Sequence, residues 1–523
     1  MIGSPKTPCA AKNRALRLAR NKRFIVRAFR WRAIGVQSAL LVLSILNSAA
    51  SSRGQTAATA PLQFSSSDAQ LVHAFDWARK QALAYAFSGD PVGLWYEAAL
   101  PGREAFCMRD VSHQSMGAQA LGLAAYTYNM LRHFAGNISQ SKDWCSYWEI
   151  DRENRPAPVD YASDAAFWYN LPANFDVLDA SYRMYLLSGD MRYIDDPVFD
   201  NFYDRTMHDY VQRWSLAPDS MMNRQRWLLP MTAEETRELH GQSPYRRGIP
   251  GYDESEHGYV AGVDLLAVEY AAYLDYAAIE RMRGDEAGAQ NAADQAAAIK
   301  SLVNTKWWNA ETHSFYSTLD AQHRLKGRDA ADVLYWGVAD EGPKTDAALK
   351  DLLAEVRNHA PCAVEEESHY AEILYRYGEP DAGYSVILDL AHPGHCRQEY
   401  PEVSYSEIGA ITTGVMGVSV VPGLEKEVET LSGLTEKSAW AELRNLSIGR
   451  NLVAIRHVGI RESVLTNLSG PALLWRAAFP GIHRELLVGG KHQEASTETH
   501  SGFTVSWVQV SLGAGDTVHV STP

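Results

Sequence analysis

Helical hydrophobic spacing dominates the chain from about residue 68 to about residue 418. Apolar residues recur there at intervals of three and four, the period of a helix with a buried face. Three connections are tight glycine turns that end one helix and begin the next, namely Gly189-Asp190, Gly284-Asp285 and Gly378-Glu379-Pro380. Helices are predicted at 68–87, 112–135, 138–150, 174–188, 197–214, 259–283, 285–306, 328–339, 345–358, 365–377, 380–391 and 403–418.

The even-numbered helices are more apolar than the odd-numbered ones. Segments 115–128, 263–279 and 408–418 consist mostly of small and apolar residues, whereas 201–215 is amphipathic. Because a helix without a polar face has no side for water, the even helices are expected inside and the odd ones outside. Six hairpins arranged in this way predict a mainly α chain, an (α/α)6 toroid. An irregular bundle or a solenoid is the alternative, but no fixed-period repeat is present.

Strand patterns replace helical ones near the C terminus. Short alternating runs begin near residues 452, 464, 472, 485, 503 and 517, and Gly-rich turns separate them. They predict a small antiparallel β-sandwich module at 440–523, after a helical domain at 67–430. Residues 56–66, rich in Ser, Thr and Ala, are predicted to be a linker.

The first 55 residues are typical of an export signal. A basic stretch from Arg14 to Arg32 precedes an apolar run at 33–50, which small residues follow. This pattern predicts a periplasmic or secreted protein whose leader is either cleaved or kept as an N-terminal membrane anchor. The run is barely long enough to span a bilayer, and no other membrane segment is predicted.

Charge and motifs exclude several classes of function. The net charge of −14 argues against a nucleic-acid partner, because phosphate binding requires a basic surface. No CxxC, HExxH, phosphate-binding loop or dinucleotide motif is present, so no metal and no cofactor are predicted. The 14 Trp and 26 Tyr indicate either a rich core or surfaces on which sugars stack. The sequence does not indicate an oligomeric state.

In a toroid, the odd-to-even loops gather at the N-termini of the inner helices. The aromatic, amide and charged side chains predicted to contact substrate there are Trp95, Tyr96, Arg109, Asp110, His113, Trp168, Tyr169, Asn170, Asn174, Tyr252, His257 and Tyr405. Two loops also contain carboxylates, Glu254 and Glu256 in one and Glu399 and Glu402 in the other. Rings that stack on sugars, groups that bind hydroxyls and two carboxyl groups for catalysis are typical of a glycan-cleaving site.

Each of these acidic groups also has a structural interpretation. Asp253 is a potential helix cap for the sixth helix, and Glu254 and Glu256 fit a solvated turn. The cluster 365–367 fits the favourable interaction of carboxylates with a helix N-terminus. Glu407, one turn into a buried helix, is expected to pair with an arginine.

This layout resembles the six-hairpin glycosidase superfamily, which includes glucoamylases and α-L-rhamnosidases. The resemblance implies a catalytic acid from the loop before the sixth helix, Glu254 or Glu256, and a base from the loop before the twelfth, Glu402 or Glu399. It implies substrate contacts at Arg109, Asp110 and 168–170, and hydrolysis with inversion. The β module is C-terminal here, whereas some relatives carry N-terminal β domains, so no subfamily is implied.

The leading hypothesis is therefore an exported glycoside hydrolase that cleaves an oligo- or polysaccharide. One alternative is a polysaccharide lyase, in which Tyr252, His257 or His113 removes a proton while Arg109 or Asn174 neutralises a uronic acid. Another is a non-catalytic glycan-binding protein, which needs the aromatic side chains but not the carboxylates.

Four cysteines follow the apolar run: Cys107, Cys145, Cys362 and Cys396. The hairpin layout places the first two near the first and second loops and the last two in neighbouring loops. Bridges Cys107–Cys145 and Cys362–Cys396 are therefore compatible with an oxidising compartment. Four buried thiols are the alternative.

Overall fold

A computed structural model describes residues 60–225, 247–253, 258–358, 364–421 and 427–523. The predicted export signal, the residues Glu254, Glu256 and His257, and Cys362 lie outside these ranges. Within the described ranges, no helix is both long enough and apolar enough to cross a membrane.

Helices of five or more α-helical residues number twelve in the described ranges. They are α1 (Ala69–Ala84), α2 (Met108–Ala120), α3 (Ala124–Gly136), α4 (Pro172–Ser188), α5 (Pro197–Asp204), α6 (Val263–Arg283), α7 (Glu286–Lys306), α8 (Ala331–Tyr335), α9 (Pro343–Asn358), α10 (Val364–Arg376), α11 (Pro380–Leu390) and α12 (Pro401–Ala410). Shorter or non-α helical segments are Gln140–Lys142, Arg192–Asp195, Arg205–Tyr210, Val211–Trp214, Pro218–Met221 and Ile411–Val415.

The predicted helices at 112–135 and 138–150 have the wrong boundaries. The first of them is two helices, α2 and α3, and the second is mostly irregular. Gly122 causes the break, since its φ of 84° is a left-handed conformation that ends a helix and that glycine adopts without steric cost. The second hairpin thus begins at Ala124.

The even-numbered helices contact one another in a closed order. Helix α2 contacts α4, α4 contacts α6, and the contacts continue through α8 and α10 to α12, which packs against α2. Helices α1, α3, α7, α9 and α11 each pack against at least one member of this inner set. The α2–α12 contact is very close, because a Cβ atom added to Gly117 would lie 1.9 Å from the backbone oxygen of Tyr405.

The strands form two larger sheets and several small ones. The strands are β1 (Gln63–Ser66), β2 (Ala86–Asp90), β3 (Gly93–Tyr96), β4 (Ala105–Cys107), β5 (Glu149–Asp151), β6 (Tyr161–Ser163), β7 (Ala166–Phe167), β8 (Tyr169–Asn170), β9 (Arg247–Ile249), β10 (Tyr259–Gly262), β11 (Trp308–Asn309), β12 (Ser314–Phe315), β13 (Thr318–Asp320), β14 (Leu325–Lys326), β15 (Val418–Val421), β16 (Glu427–Leu431), β17 (Trp440–Ile448), β18 (Asn451–Val458), β19 (Glu462–Ser469), β20 (Leu473–Pro480), β21 (Glu485–Val488), β22 (Lys491–Glu494), β23 (Ser496–His500), β24 (Phe503–Leu512) and β25 (Thr517–Ser521). Strands β2 to β14 lie in the connections between helices.

The C-terminal part is β-rich, as predicted. One sheet has the order β1-β17-β18-β19-β25-β21-β22 and the other has the order β15-β16-β20-β24-β23. All their pairings are antiparallel except β16–β20, which is parallel. Strand β1 lies within the stretch predicted to be a linker, yet it pairs with β17 and places Phe64 opposite Leu443.

The predicted Cys107–Cys145 bridge is wrong. Both residues are buried free thiols. The β4–β5 register places Cys107 opposite Glu149, so Cys145 lies beyond the end of that ribbon. Cys396 is disulfide-bonded, and its predicted partner, Cys362, lies outside the described residues.

Candidate active site

Each inner helix has a carboxyl group among its first five residues. These groups are Asp110 on α2, Asp176 on α4, Asp264 on α6, Asp332 on α8, Glu366 on α10 and Glu402 on α12. Helix N-termini favour carboxylates because their free N–H groups and dipoles are positive. Asp110, Asp176, Asp264 and Glu402 are nevertheless at most 8% exposed, which is unusual for groups that only cap a helix.

Glu402 is the centre of the most closely connected group, here named the Glu402 cluster: His113, Asp176, Tyr252, His369 and Glu402. Its Oε1 atom lies 3.2 Å from Nδ1 of His113 and 3.2 Å from Nε2 of His369. The two imidazole rings meet edge to face, with centroids 4.5 Å apart. On the other side of His113, Nε2 lies 3.6 Å from Oδ1 of Asp176. The same Asp176 oxygen accepts a hydrogen bond of 2.5 Å from the hydroxyl of Tyr252.

The charges in this cluster depend on one another. Burial acts to raise the pKa of Glu402, but the two imidazoles outweigh burial and lower that pKa to about 2. Burial acts to lower the pKa of His113, but Asp176 and Glu402 outweigh it and raise that pKa to about 9. Burial, followed by the charge of His113, lowers the pKa of His369. At neutral pH the ligand-free cluster therefore holds an ionised Glu402 beside an imidazolium.

Two buried polar atoms of the cluster lack a hydrogen-bond partner among the described residues. They are Oδ2 of Asp176 and Oε2 of Glu402, whereas Nε2 of His113 and Nε2 of His369 each contact a carboxylate oxygen. Buried polar groups in native proteins are almost always hydrogen-bonded to protein, water or a ligand. Two such oxygen atoms, on α4 and α12, indicate a site that binds a polar ligand.

Arg109 and Asp110 lie beside this cluster. The hydroxyl of Tyr400 donates a hydrogen bond of 2.5 Å to Oδ1 of Asp110. Burial, followed by the charge of Glu402, raises the pKa of Asp110 to about 6. The guanidinium of Arg109 lies 5.8 Å from the ring centroid of Trp148 and 5.7 Å from that of Tyr252. An arginine between two rings and a buried carboxyl group can bind sugar hydroxyls and a sugar face together.

Asp264 anchors the segment that precedes the predicted acids. Its carboxylate accepts hydrogen bonds from the backbone N–H groups of Tyr252 and Leu265. A Cβ atom on Gly251 would lie 2.7 Å from this carboxylate, which explains the glycine. The hydroxyl of Tyr259 donates a hydrogen bond of 2.9 Å to the backbone oxygen of Asp253, so residues on either side of the interval 254–257 contact each other. Asp253 is thus held through its backbone, ahead of the predicted acids in that interval.

Other predicted contact residues lie in the core instead. Trp95, Tyr96 and Tyr405 are at most 1% exposed. The indole N–H of Trp95 donates to Asp90 at 2.7 Å, and the hydroxyl of Tyr405 donates to the backbone oxygen of Ala82 at 2.8 Å. Since their polar atoms are paired and their rings are packed, these three aromatic residues support the fold.

The segment predicted to contact substrate through Trp168, Tyr169, Asn170 and Asn174 has mixed roles. Tyr169 is buried and donates to the side chain of Asn174, which also donates to Thr206 at 3.2 Å. Trp168 is partly buried and packs against the hydrophobic core. Both amide atoms of Asn170 are buried without a hydrogen-bond partner in the described ranges, so Asn170 is the member of this segment that retains free polar atoms.

The two predicted bases differ clearly. Glu402 is 1% exposed and lies in the cluster, whereas Glu399 is exposed. The backbone oxygen of Glu399 accepts from the hydroxyl of Tyr85 at 2.6 Å. Glu407 does not have the predicted arginine partner, because both its carboxyl oxygens are buried without a hydrogen bond among the described residues.

Asp176 was not predicted to belong to the site, and His369 was expected in a loop at the mouth but was given no role. Each lies beyond the first turn of an inner helix, at the fifth residue of α4 and the sixth residue of α10. The available signal was a charged residue between apolar neighbours, as in Phe175-Asp176-Val177. Such a residue in a buried helix must face either a partner or a site.

No protein-family model and no curated protein matches this chain. Solved structures do. The α-L-rhamnosidase from Dictyoglumus thermophilum matches with a TM-score of 0.54 at 13% identity, over 89% of this chain and 50% of its own. The chain is similar to this enzyme in fold. The α-L-rhamnosidase of Streptomyces avermitilis matches with a TM-score of 0.52 at 14% identity, over 88% of this chain and 42% of its own.

The GH78-family rhamnosidase of Bacillus sp. GL1 also matches, with a TM-score of 0.52 at 12% identity, over 78% of this chain and 40% of its own. The chain thus spans half or less of the length of these enzymes. The predicted resemblance to six-hairpin glycosidases is confirmed at the level of the fold.

Proposed function

We propose that this protein is an exported glycoside hydrolase that cleaves an oligo- or polysaccharide by acid/base catalysis with two carboxyl groups. The observation that carries the proposal is the Glu402 cluster, in which a buried ionised carboxylate lies beside polar atoms that have no hydrogen-bond partner in the described part of the chain. The closed order of contacts among the inner helices supports an (α/α)6 toroid as the catalytic domain, at 67–430, with a β module at 440–523.

In this proposal Glu402 is the catalytic base. A base must be ionised before it accepts a proton, and the lowered pKa of Glu402 ensures this at neutral pH. Glu254 or Glu256, by resemblance, is the acid. The acid protonates the glycosidic oxygen while Glu402 removes a proton from a water molecule, whose oxygen attacks the anomeric carbon from the opposite face. The product then has the inverted configuration.

The charge of the site favours hydrolysis over the lyase alternative. A lyase needs an unprotonated base to remove a proton, but His113 lies between Asp176 and Glu402, and these carboxylates raise its pKa to about 9. The carboxyl groups at the ends of the inner helices would repel an anionic sugar. A neutral sugar, bound through its hydroxyl groups, is therefore the proposed substrate class.

A panel of nitrophenyl glycosides and neutral oligosaccharides tests the proposal, with α-L-rhamnosides first because the similar structures include rhamnosidases. Nuclear magnetic resonance of the first product reports inversion or retention. Glu402→Gln should lower kcat by about 10²–10⁴-fold, while the matched control Glu399→Gln should retain activity. Unchanged kcat in Glu402→Gln would rule out the assigned base. An increase in ultraviolet absorbance when uronic-acid polymers are added would instead support the lyase, because elimination forms a conjugated double bond.

A further inference from the structure

We propose that His113, His369 and Glu402 form a site for one divalent transition-metal cation of the Zn²⁺ class. We also propose that bound metal withdraws Glu402 from catalysis. The second statement rests on the proposed hydrolase function, whereas the first does not.

The ligand atoms have suitable spacing. Zn²⁺ binds imidazole nitrogen and carboxylate oxygen at about 2.0–2.2 Å, so two ligands of a tetrahedral ion lie roughly 3.4 Å apart. Oε1 of Glu402 is 3.2 Å from a nitrogen of His113 and 3.2 Å from a nitrogen of His369. One ligand atom from each of the three residues lies within 4.8 Å of the others. Small side-chain movements therefore suffice to surround an ion.

The orientation of His113 fits a metal ligand. Its Nε2 atom faces Oδ1 of Asp176, and Tyr252 holds that carboxylate by a hydrogen bond. Metal-binding histidines commonly direct their second ring nitrogen at a carboxylate in this way. If the Nε2–H points at Asp176, the lone pair of Nδ1 points at Oε1 of Glu402. Two electron-rich atoms at that distance require a cation between them, either a proton or a metal ion.

The chemistry of the three ligands selects the metal class. Two imidazoles and one carboxylate suit Zn²⁺, Co²⁺ and Ni²⁺, whereas Mg²⁺ and Ca²⁺ take mainly oxygen ligands. Oε2 of Glu402 is buried and has no hydrogen-bond partner among the described residues. Three protein ligands leave a fourth position for water. The ligands come from α2, α10 and α12, so binding would connect three inner helices.

Isothermal titration of the full-length, chelator-treated protein with ZnCl2 tests the site, with MgCl2 as the comparison. We expect one Zn²⁺ per chain and no Mg²⁺ binding. His113→Gln, His369→Gln and Glu402→Gln should each weaken Zn²⁺ binding by about 100-fold or more, and Asp176→Asn by about 10–100-fold. The control is His395→Gln. His395 is not a member of the cluster, and its Nε2 atom lies 3.1 Å from Oε2 of Glu367.

A second measurement needs no variant. Co²⁺ added to the unmodified protein should give the intense visible bands of a tetrahedral site, and Zn²⁺ should abolish them. Absence of Zn²⁺ uptake, or full affinity in both histidine variants, overturns the metal site. Zn²⁺ should also inhibit glycan hydrolysis, and chelator should restore it; unchanged hydrolysis at saturating Zn²⁺ overturns the withdrawal of Glu402. If no glycan is hydrolysed, the proposed function fails, but the titration still decides the metal site.

Discussion

The hydroxyl of Tyr400 donates a 2.5 Å hydrogen bond to the buried carboxyl group of Asp110, connecting the residue before α12 to the first turn of α2. This bond lowers the pKa of Asp110 against the effects of burial and Glu402. In Tyr400→Phe the pKa should rise above its value of about 6. If substrate binding requires ionised Asp110, the acidic limb of the kcat/KM profile should shift to higher pH.

Tyr400→Phe should also cost about 1–3 kcal/mol of stability, because a buried acceptor loses its donor. Urea denaturation measures this change. Tyr85→Phe is a suitable control, since the hydroxyl of Tyr85 bonds to the exposed Glu399 segment instead. An unchanged pH profile in Tyr400→Phe would show that Asp110 does not act through its ionised form.

Gly117 should tolerate no side chain. A Cβ atom there would lie 1.9 Å from the backbone oxygen of Tyr405, so Gly117→Ala must separate α2 from α12. We expect a loss of several kcal/mol, as for an overpacked core, and lower activity because His113 and Glu402 lie on these two helices. Thermal denaturation and kcat provide the measurements.

The matched control for this change is Gly136→Ala, at the end of α3. Its nearest new contact is a methyl group of Val198 at 3.5 Å, which is an ordinary van der Waals distance. Gly136→Ala should therefore remain within about 1 kcal/mol of wild type. Equal effects of the two substitutions would contradict the close α2–α12 packing.

Glu407 should make stability depend on pH. Burial raises its pKa well above the ordinary value of 4.5. The folded state then binds more protons than the unfolded state as pH rises above 4.5, so stability falls with pH. Glu407→Gln should remove this contribution, so the stability of the variant should fall less steeply as pH rises above 4.5. Urea titrations of wild type and Glu407→Gln at several pH values would measure the free energy of unfolding. The same pH dependence in both proteins would contradict the prediction.

The thiol content should distinguish the cysteine assignments. Thiol-reagent titration of denatured, unreduced chain beginning after residue 55 should find the thiols of Cys107 and Cys145, since both are free, while Cys396 is bonded. Cys107→Ala and Cys145→Ala should each lower the count by one. A count of zero would indicate that the two thiols form a bridge in solution.

The positions of helices such as α1, α4 and α6 were predictable because apolar spacing reports local structure. The α2–α3 boundary was not, since Gly122 resembles the other small residues of that apolar run until its φ is known. Asp176 was missed, and His369 was given no role, for a different reason. Which turn of a buried helix faces a site depends on the rotation of that helix against its neighbours, and periodicity does not encode this.

Aromatic residues were the least predictable site candidates. Trp95 and Tyr405 occur in the same loops and helix starts as Arg109 and Glu402, yet their rings are in the core. A ring that stacks on a sugar and a ring that fills a core have the same local sequence signature. The charged candidates differ too, since Glu402 is buried in the cluster whereas Glu399 is exposed.

Strand β1 also constrains how the protein is made. Ser66 bonds to the backbone oxygen of Trp440, 374 residues further along the chain, and β1 is an edge strand whose sheet neighbour is β17. During synthesis, which proceeds at about 5–20 residues per second, β1 has no native strand partner until β17 leaves the ribosome. At that rate the edge of β1 remains unpaired for roughly 20–75 seconds. A chaperone would have its best opportunity to bind β1 during this interval.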